Sequence, residues 1–331
     1  MAVWPHSVAI NGYLLTETLF GFLCALGILL CATACRLQNL WLAFGAGLVM
    51  GAAALTNAIF LPFGILLAVF LAWRKLTSRR ICAALAIGAL IFPGLWSIRN
   101  VTVAAPGPNA SSLDRALQNL AQGASPNYHE AYRDSISGDA QEQASARTVL
   151  DRIDHEYELL RIAPEKGAEA IMQRMAQRPL RYATWYLLQK PYALWDWDIQ
   201  IGQGDIYVYP TMNSPFKTQH TWIALEVICQ SLNPILMFLA LASLLALRSR
   251  KAWLASRPQS YKRTALVMVV CLVAFVTLVY GMLQAEPRYS IPFRSFEILL
   301  AITSCAEFAR WRHQRSAAVA QPAIDKVEGI G

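Results

Sequence analysis

Near the C-terminus, the stretch QAEPRYSIPFRSFEILLAI (284–302) sets Glu286, Arg288, Arg294 and Glu297 between two apolar runs. Charged side chains at membrane depth are costly unless they face a cavity or a partner, so these four need a chemical reason. The chemistry open to them is narrow. A guanidinium pairs with phosphate or carboxylate, and a carboxylate can take up a proton. Other outliers recur upstream: Glu17 lies five residues into an apolar run, within GYLLTETLF, and Arg99 closes another in Trp96-Ser97-Ile98-Arg99-Asn100. Arg99 and Arg294 stand near run ends, where the simpler alternative is a long side chain reaching out to the interface. Glu286, two residues before Arg288, is expected to pair with it.

A second group is aromatic. RPLRYATWYLLQKPYALWDWD (178–198) packs Tyr182, Trp185, Tyr186, Tyr192, Trp195 and Trp197 among Arg178, Arg181 and Lys190. Rings at headgroup level and cations near lipid phosphates make this an interfacial helix. It reads either as an anchor or as one wall of a cleft for a phosphorylated lipid or a sugar, with Lys190 as a phosphate partner. Metal chemistry has no such support. His155-Glu156-Tyr157-Glu158 lacks the second histidine of a helical zinc motif and reads as a solvated helix face. All seven cysteines fall in or beside apolar runs, which favours packing over disulfides or metal. Neither a metal nor a cofactor is expected.

The elements that must position these groups follow from composition. The chain has 56% hydrophobic and only 15% charged residues, so a polytopic all-helical membrane protein is expected. Crossing the hydrocarbon core takes about 20 apolar residues. Candidate spans are 12–34, 81–98, 221–247, 264–284 and 292–309, while 40–73 is long enough for two, broken by Leu55-Thr56-Asn57 and then Pro62 and Gly64. Seven spans result: four in an N-terminal membrane domain (1–100) and three in a C-terminal one (219–312), with a tail over 313–331.

Basic residues set the orientation. Arg36, the group Arg74, Lys75, Arg79 and Arg80, the stretch Arg248 to Arg263, and Arg310, Arg312 and Arg315 all mark one side as cytoplasmic. The N-terminus is then outside, and so is the large loop 101–218. That loop holds eleven Lys/Arg and fourteen Asp/Glu, a balance of −3, so the remainder carries +11 of the net +8. Basic residues that flank spans are membrane anchors, and nucleic acid is excluded as a partner. Within the loop, 111–122 and 140–178 have the apolar period of amphipathic helices, with Pro164 starting a fresh one. Pro106-Gly107-Pro108 and Ala124-Ser125-Pro126-Asn127 read as turns, and Asn109-Ala-Ser is a glycosylation triplet. MAVWPHSVAING lacks the charged start and cleavage site of a signal peptide.

Four stretches together resemble the bacterial family 39-type glycosyltransferases of GT-C fold. PHSVAINGYLLTETLFGFL looks like their Ser/Thr-Glu step into a long span. WLAFGAGLVMGAAALTNAIFLPFGILLAVFLAW resembles their small-residue helix, break and Leu-rich helix. FPGLWSIRNVTV resembles their exit into an outer loop, and EPRYSIPFRSF the Arg-Tyr…Pro step before the last span. The resemblance implies a polyprenyl-phosphate-linked sugar as donor, a lipid or protein acceptor at the outer face of a bacterial inner membrane, and polyprenyl phosphate as leaving group. Glu17, Arg99, Lys190, Arg288 and Tyr289 would line the cleft, Arg288 toward phosphate and Tyr289 toward the sugar. In the family the acidic base lies in the first outer loop, after an N-terminal span. By that resemblance the chain is expected to begin beyond this point and to correspond to the C-terminal portion, so no catalytic carboxylate is assigned. Two other classes compete: a transporter or flippase, which would favour an internal repeat, and a non-catalytic or remnant membrane protein.

Overall fold

A computed structural model describes residues 3–13, 15–103, 112–246 and 261–328. Pro106-Gly107-Pro108, the Asn109 triplet and most of the basic stretch between 247 and 260 lie outside the described residues. Among the described residues every regular element is helical, with one isolated bridge between Gly204 and Tyr207.

The first membrane half runs α1 (Pro5–Asn11), α2 (Thr16–Leu37), α3 (Leu40–Thr56), a 3-10 turn (Ala58–Phe60), α4 (Phe63–Trp73) and α5 (Arg79–Thr102). Local chemistry sets the joints. Gln38 ends α2 in the left-handed region, and the Asn39 side chain accepts the N–H groups of Trp41 and Leu42 to start α3. Asn57 does the same for the 3-10 turn, accepting from Ile59 N–H, so the expected break is a capped helix end. The Ser78 hydroxyl accepts from Ile81 N–H at the head of α5.

Helices α3 and α5 cross with backbones nearly touching. A Cβ on Gly47 would lie 2.2 Å from the Leu85 carbonyl, and one on Gly88 would lie 2.3 Å from that of Phe44. Such small-residue crossings suit lipid, where burying apolar surface gives helices little drive to associate and close packing must supply it. Inside the bundle Phe20, Phe60, Phe63, Phe275 and Phe293 form one aromatic cluster. Outside it, Phe22, Leu29, Trp41, Trp73, Phe238 and Leu278 are exposed, an apolar surface that a bilayer would cover.

The polar segment folds as α6 (Ser112–Gly123), α7 (Tyr128–Ser137), α8 (Ala140–Ile162) and α9 (Pro164–Gln177) around Ala121, Tyr128, Ile153, Leu160 and Ile171. Asp139 and Glu142 make a reciprocal capping box at α8, and Pro164 opens α9 as expected. One expectation fails here. Glu156 is buried, not solvated: both its oxygens take hydrogen bonds from Arg174, at 2.7 and 2.8 Å. Arg174 also donates to the Ala124 carbonyl and to Tyr182, joining α8 and α9 to the next element.

That element is the aromatic run: α10 (Pro179–Thr184), a π-turn (Trp185–Gln189) and α11 (Lys190–Trp195). Tyr182, Trp185, Leu194 and Trp195 face inward, while Leu180, Leu187, Leu188 and Tyr192 are exposed. After a loop come α12 (Pro215–Thr218), α13 (His220–Ala246), α14 (Tyr261–Met282), α15 (Pro287–Ser290), a 3-10 turn (Ile291–Phe293) and α16 (Arg294–Glu328).

Among the described residues four helices are long and apolar enough to cross a membrane: Thr16–Leu37, Arg79–Thr102, His220–Ser243 and Arg263–Met282. That is fewer than the seven spans expected. Leu40–Thr56 and Ala58–Trp73 are shorter apolar helices, because Asn57 divides the run that holds them. The last apolar run belongs to a 35-residue helix that continues through most of the expected tail. At one end of the bundle Gln38 bonds Thr77, and Arg263 lies within electrostatic reach of Arg74, so the basic joints share that end.

Candidate functional site

The opposite end of the bundle holds the outliers. Pro287 starts α15 and Pro292 lies in the 3-10 turn, so the chain approaches α16 in short pieces instead of one helix. The turn packs on α2 at Gly21, where an added Cβ would be 3.2 Å from the Pro292 carbonyl. This places Arg288 over the first turn of α2. Its Nε and Nη2 lie 2.7 and 2.6 Å from Glu17 Oε1. The expected Glu286–Arg288 pair is therefore replaced by one across 271 residues of sequence. The second oxygen of Glu17 is buried and has no hydrogen-bond partner among the described residues.

Beside the pair, Tyr289 stacks on Tyr280 with centroids 4.8 Å apart and planes 5° from parallel. Asn57 donates to the Tyr280 hydroxyl at 3.2 Å. Thr16, Glu17, Phe20, Asn57, Tyr280, Tyr289 and Pro292 line a cavity of about 70 Å³.

Lys190 is fully buried, its Nζ 3.5 Å from the Met282 carbonyl and 4.3 Å over the Tyr186 ring. Burial lowers its amine to about 7. Arg99 is exposed at the end of α5, bonded to Asn100 at 3.1 Å and lying over Trp96, which fits the interfacial alternative. So the structure brings Glu17, Arg288 and Tyr289 together, and leaves Lys190 and Arg99 outside the cavity lining.

Arg294 does not reach for the interface. It is fully buried, donating to the carbonyls of Trp195 and Asp196, to Asn233 and to Glu297. Glu286 is buried as well. Its Oε1 accepts from Gln200 N–H at 2.8 Å and Ile201 N–H at 3.2 Å, while Oε2 lies 3.4 Å from His129 Nε2. Burial pushes its carboxyl up to about 7, against the pull of those two amides and of Arg288.

Two lining residues escaped the sequence reading. Asn57 carried only a helix-break signal, though its amide also reaches the cavity. Tyr280 is a lone phenol inside an apolar run, and a buried hydroxyl needs a partner, which was the available clue. Among the described residues no group of His, Cys, Asp or Glu is arranged to hold a metal. No family model, curated protein or solved structure matches the chain.

Proposed function

We propose that the chain is a membrane glycosyltransferase, or a part of one, moving a sugar from a polyprenyl-phosphate donor to a lipid or protein acceptor. The observation that carries this reading is the Glu17–Arg288 pair beside a tyrosine-lined cavity, at the bundle end opposite the basic joints. Counting the two shorter apolar helices and the first part of α16, the chain crosses seven times, and the positive-inside rule puts this site at the outer face of a bacterial inner membrane.

In such a transfer an acceptor oxygen attacks the anomeric carbon. The bond from that carbon to the phosphate oxygen breaks, polyprenyl phosphate leaves with the electron pair, and the acceptor proton passes to a base. Negative charge grows on the leaving phosphate, and a guanidinium placed there lowers the barrier. Arg288 takes that role, exchanging part of its contact with Glu17 for phosphate, with Lys190 as a second cation. Tyr289 offers a ring face to the sugar, and the unpartnered oxygen of Glu17 accepts from a sugar hydroxyl. Arg99 marks the same end of the bundle.

The test is transfer of labelled sugar from polyprenyl phosphate in membranes carrying the protein from its intact reading frame. Arg288→Ala and Glu17→Gln should each lower the rate by about 100-fold or more, the usual cost of losing one transition-state contact. Wild-type rates in both variants would overturn the assignment.

A further inference from the structure

Beyond the Glu17–Arg288 pair, buried polar groups gather around residues 282–286, which join α14 to α15. Several elements close on this short segment. A Cβ on Gly123, at the end of α6, would lie 2.1 Å from the Leu283 carbonyl. Trp185 donates its indole N–H to the Gly123 carbonyl at 3.0 Å, and Lys190 approaches the Met282 carbonyl. Glu286 then grips the loop after α11 by the two amides of Gln200 and Ile201. That loop lays Ile199 and Val208 against Ile10 and Ile291, and Tyr209 and Thr211 against Tyr13.

We propose that Glu286 is a positioning residue: it straps the 196–214 loop to the start of α15 and so sets where Arg288, two residues on, presents its guanidinium. The inference rests on reading Arg288 as the phosphate-binding group.

The strap is sensitive to pH. The groups facing Glu286 are His129 and Tyr128 from α7, and Arg288 and Tyr289 from its own segment; Lys190 from α11 acts on His129. Burial, with Arg133 and Lys190 nearby, lowers His129 to about 4, so its ring is neutral. Docked Glu286 keeps its proton to about 7, with Oε2 buried and without a hydrogen-bond partner among the described residues, and Oε1 accepting from the two amides. Once the loop opens and hydrates it, Glu286 returns toward the ordinary value of 4.5. Between those two values the docked form holds a proton that the open form has lost. Docking therefore weakens as pH rises through that window and is level on either side of it.

Hydrogen exchange on the full chain in lipid nanodiscs tests this, followed on peptides from 196–214. Dividing wild-type rates by those of Glu286→Gln at each pH cancels intrinsic exchange. The glutamine still accepts both amides but cannot titrate, so wild-type protection relative to it should fall about tenfold or more from pH 5 to 7.5. Glu286→Ala should speed exchange at Gln200 and Ile201 and weaken binding of polyprenyl phosphate several-fold, with Arg288 intact. A ratio independent of pH, or binding by Glu286→Ala equal to wild type, overturns the strap. The pH ratio decides even where Glu286→Ala does not fold. Wild-type protein that binds no polyprenyl phosphate while the exchange ratio shifts as stated overturns the functional reading and leaves the strap standing.

Discussion

At the scale of single residues, types were legible and partners were not. Glu286 and Arg288 are near neighbours in sequence, yet each turns to something distant: Glu286 to backbone amides of the 196–214 loop, Arg288 to Glu17. Arg294 makes the point most sharply. Its place near the start of an apolar run suggested a side chain reaching water, but tertiary packing surrounds it with two carbonyls, an amide and Glu297. Removing one member of a buried ion pair leaves an uncompensated charge, which typically costs about 3–5 kcal/mol. Arg294→Met should lose stability of that order in thermal unfolding of the detergent-solubilised protein. Arg294→Met with Glu297→Leu should recover part of the loss, because no lone carboxylate remains. Equal losses in the single and double variants would show that the network acts through Asn233 and the Trp195 and Asp196 carbonyls.

At the scale of elements, the signals that succeeded were those with a local cause. Asn57 capping a turn and Pro164 opening a helix both depend on residues within a few positions, so they survive without knowledge of the fold. The π-turn at Trp185–Gln189 and the burial of Glu156 depend on distant contacts, among them Gly123 for Trp185 and Arg174 for Glu156. The α3–α5 crossing divides the glycines in a testable way. Gly47 leaves no space for a side chain, whereas at Gly45 an added Cβ would meet nothing within 4 Å beyond its own helix backbone, among the described residues. Gly47→Leu should open the bundle and raise tryptic cleavage in nanodiscs, while Gly45→Leu should leave cleavage at the wild-type level. Equal cleavage in the two would mean that backbone contact at Gly47 does not hold the crossing.

At the scale of the whole molecule, charge asymmetry is the organising feature. Basic joints gather at one end of the bundle, while the polar segment, with its balance of −3, connects at the other. The positive-inside rule then predicts sidedness that labelling can check. In a Cys305→Ser background, Lys166→Cys on α9 should react with a membrane-impermeant maleimide on intact cells. Arg79→Cys should react only after permeabilisation. The reverse pattern would invert the orientation and move the Glu17–Arg288 site to the cytoplasmic face.

Read alone, the sequence was enough for class and inventory: helices suited to lipid, one large polar helical segment, a dense aromatic run, and a few charges too deep to be casual. These follow from hydropathy, period and capping, which act over neighbouring positions. Only the tertiary structure decided which charges meet, that Glu17 takes Arg288, that Arg294 anchors the aromatic run, and that Glu286 holds a loop far from it in sequence. The physical reason is range. An ion pair inside a bundle is chosen by which helix ends share a face after packing, and packing is set by close approaches such as Gly47 on Leu85 and Gly123 on Leu283, which no local pattern encodes.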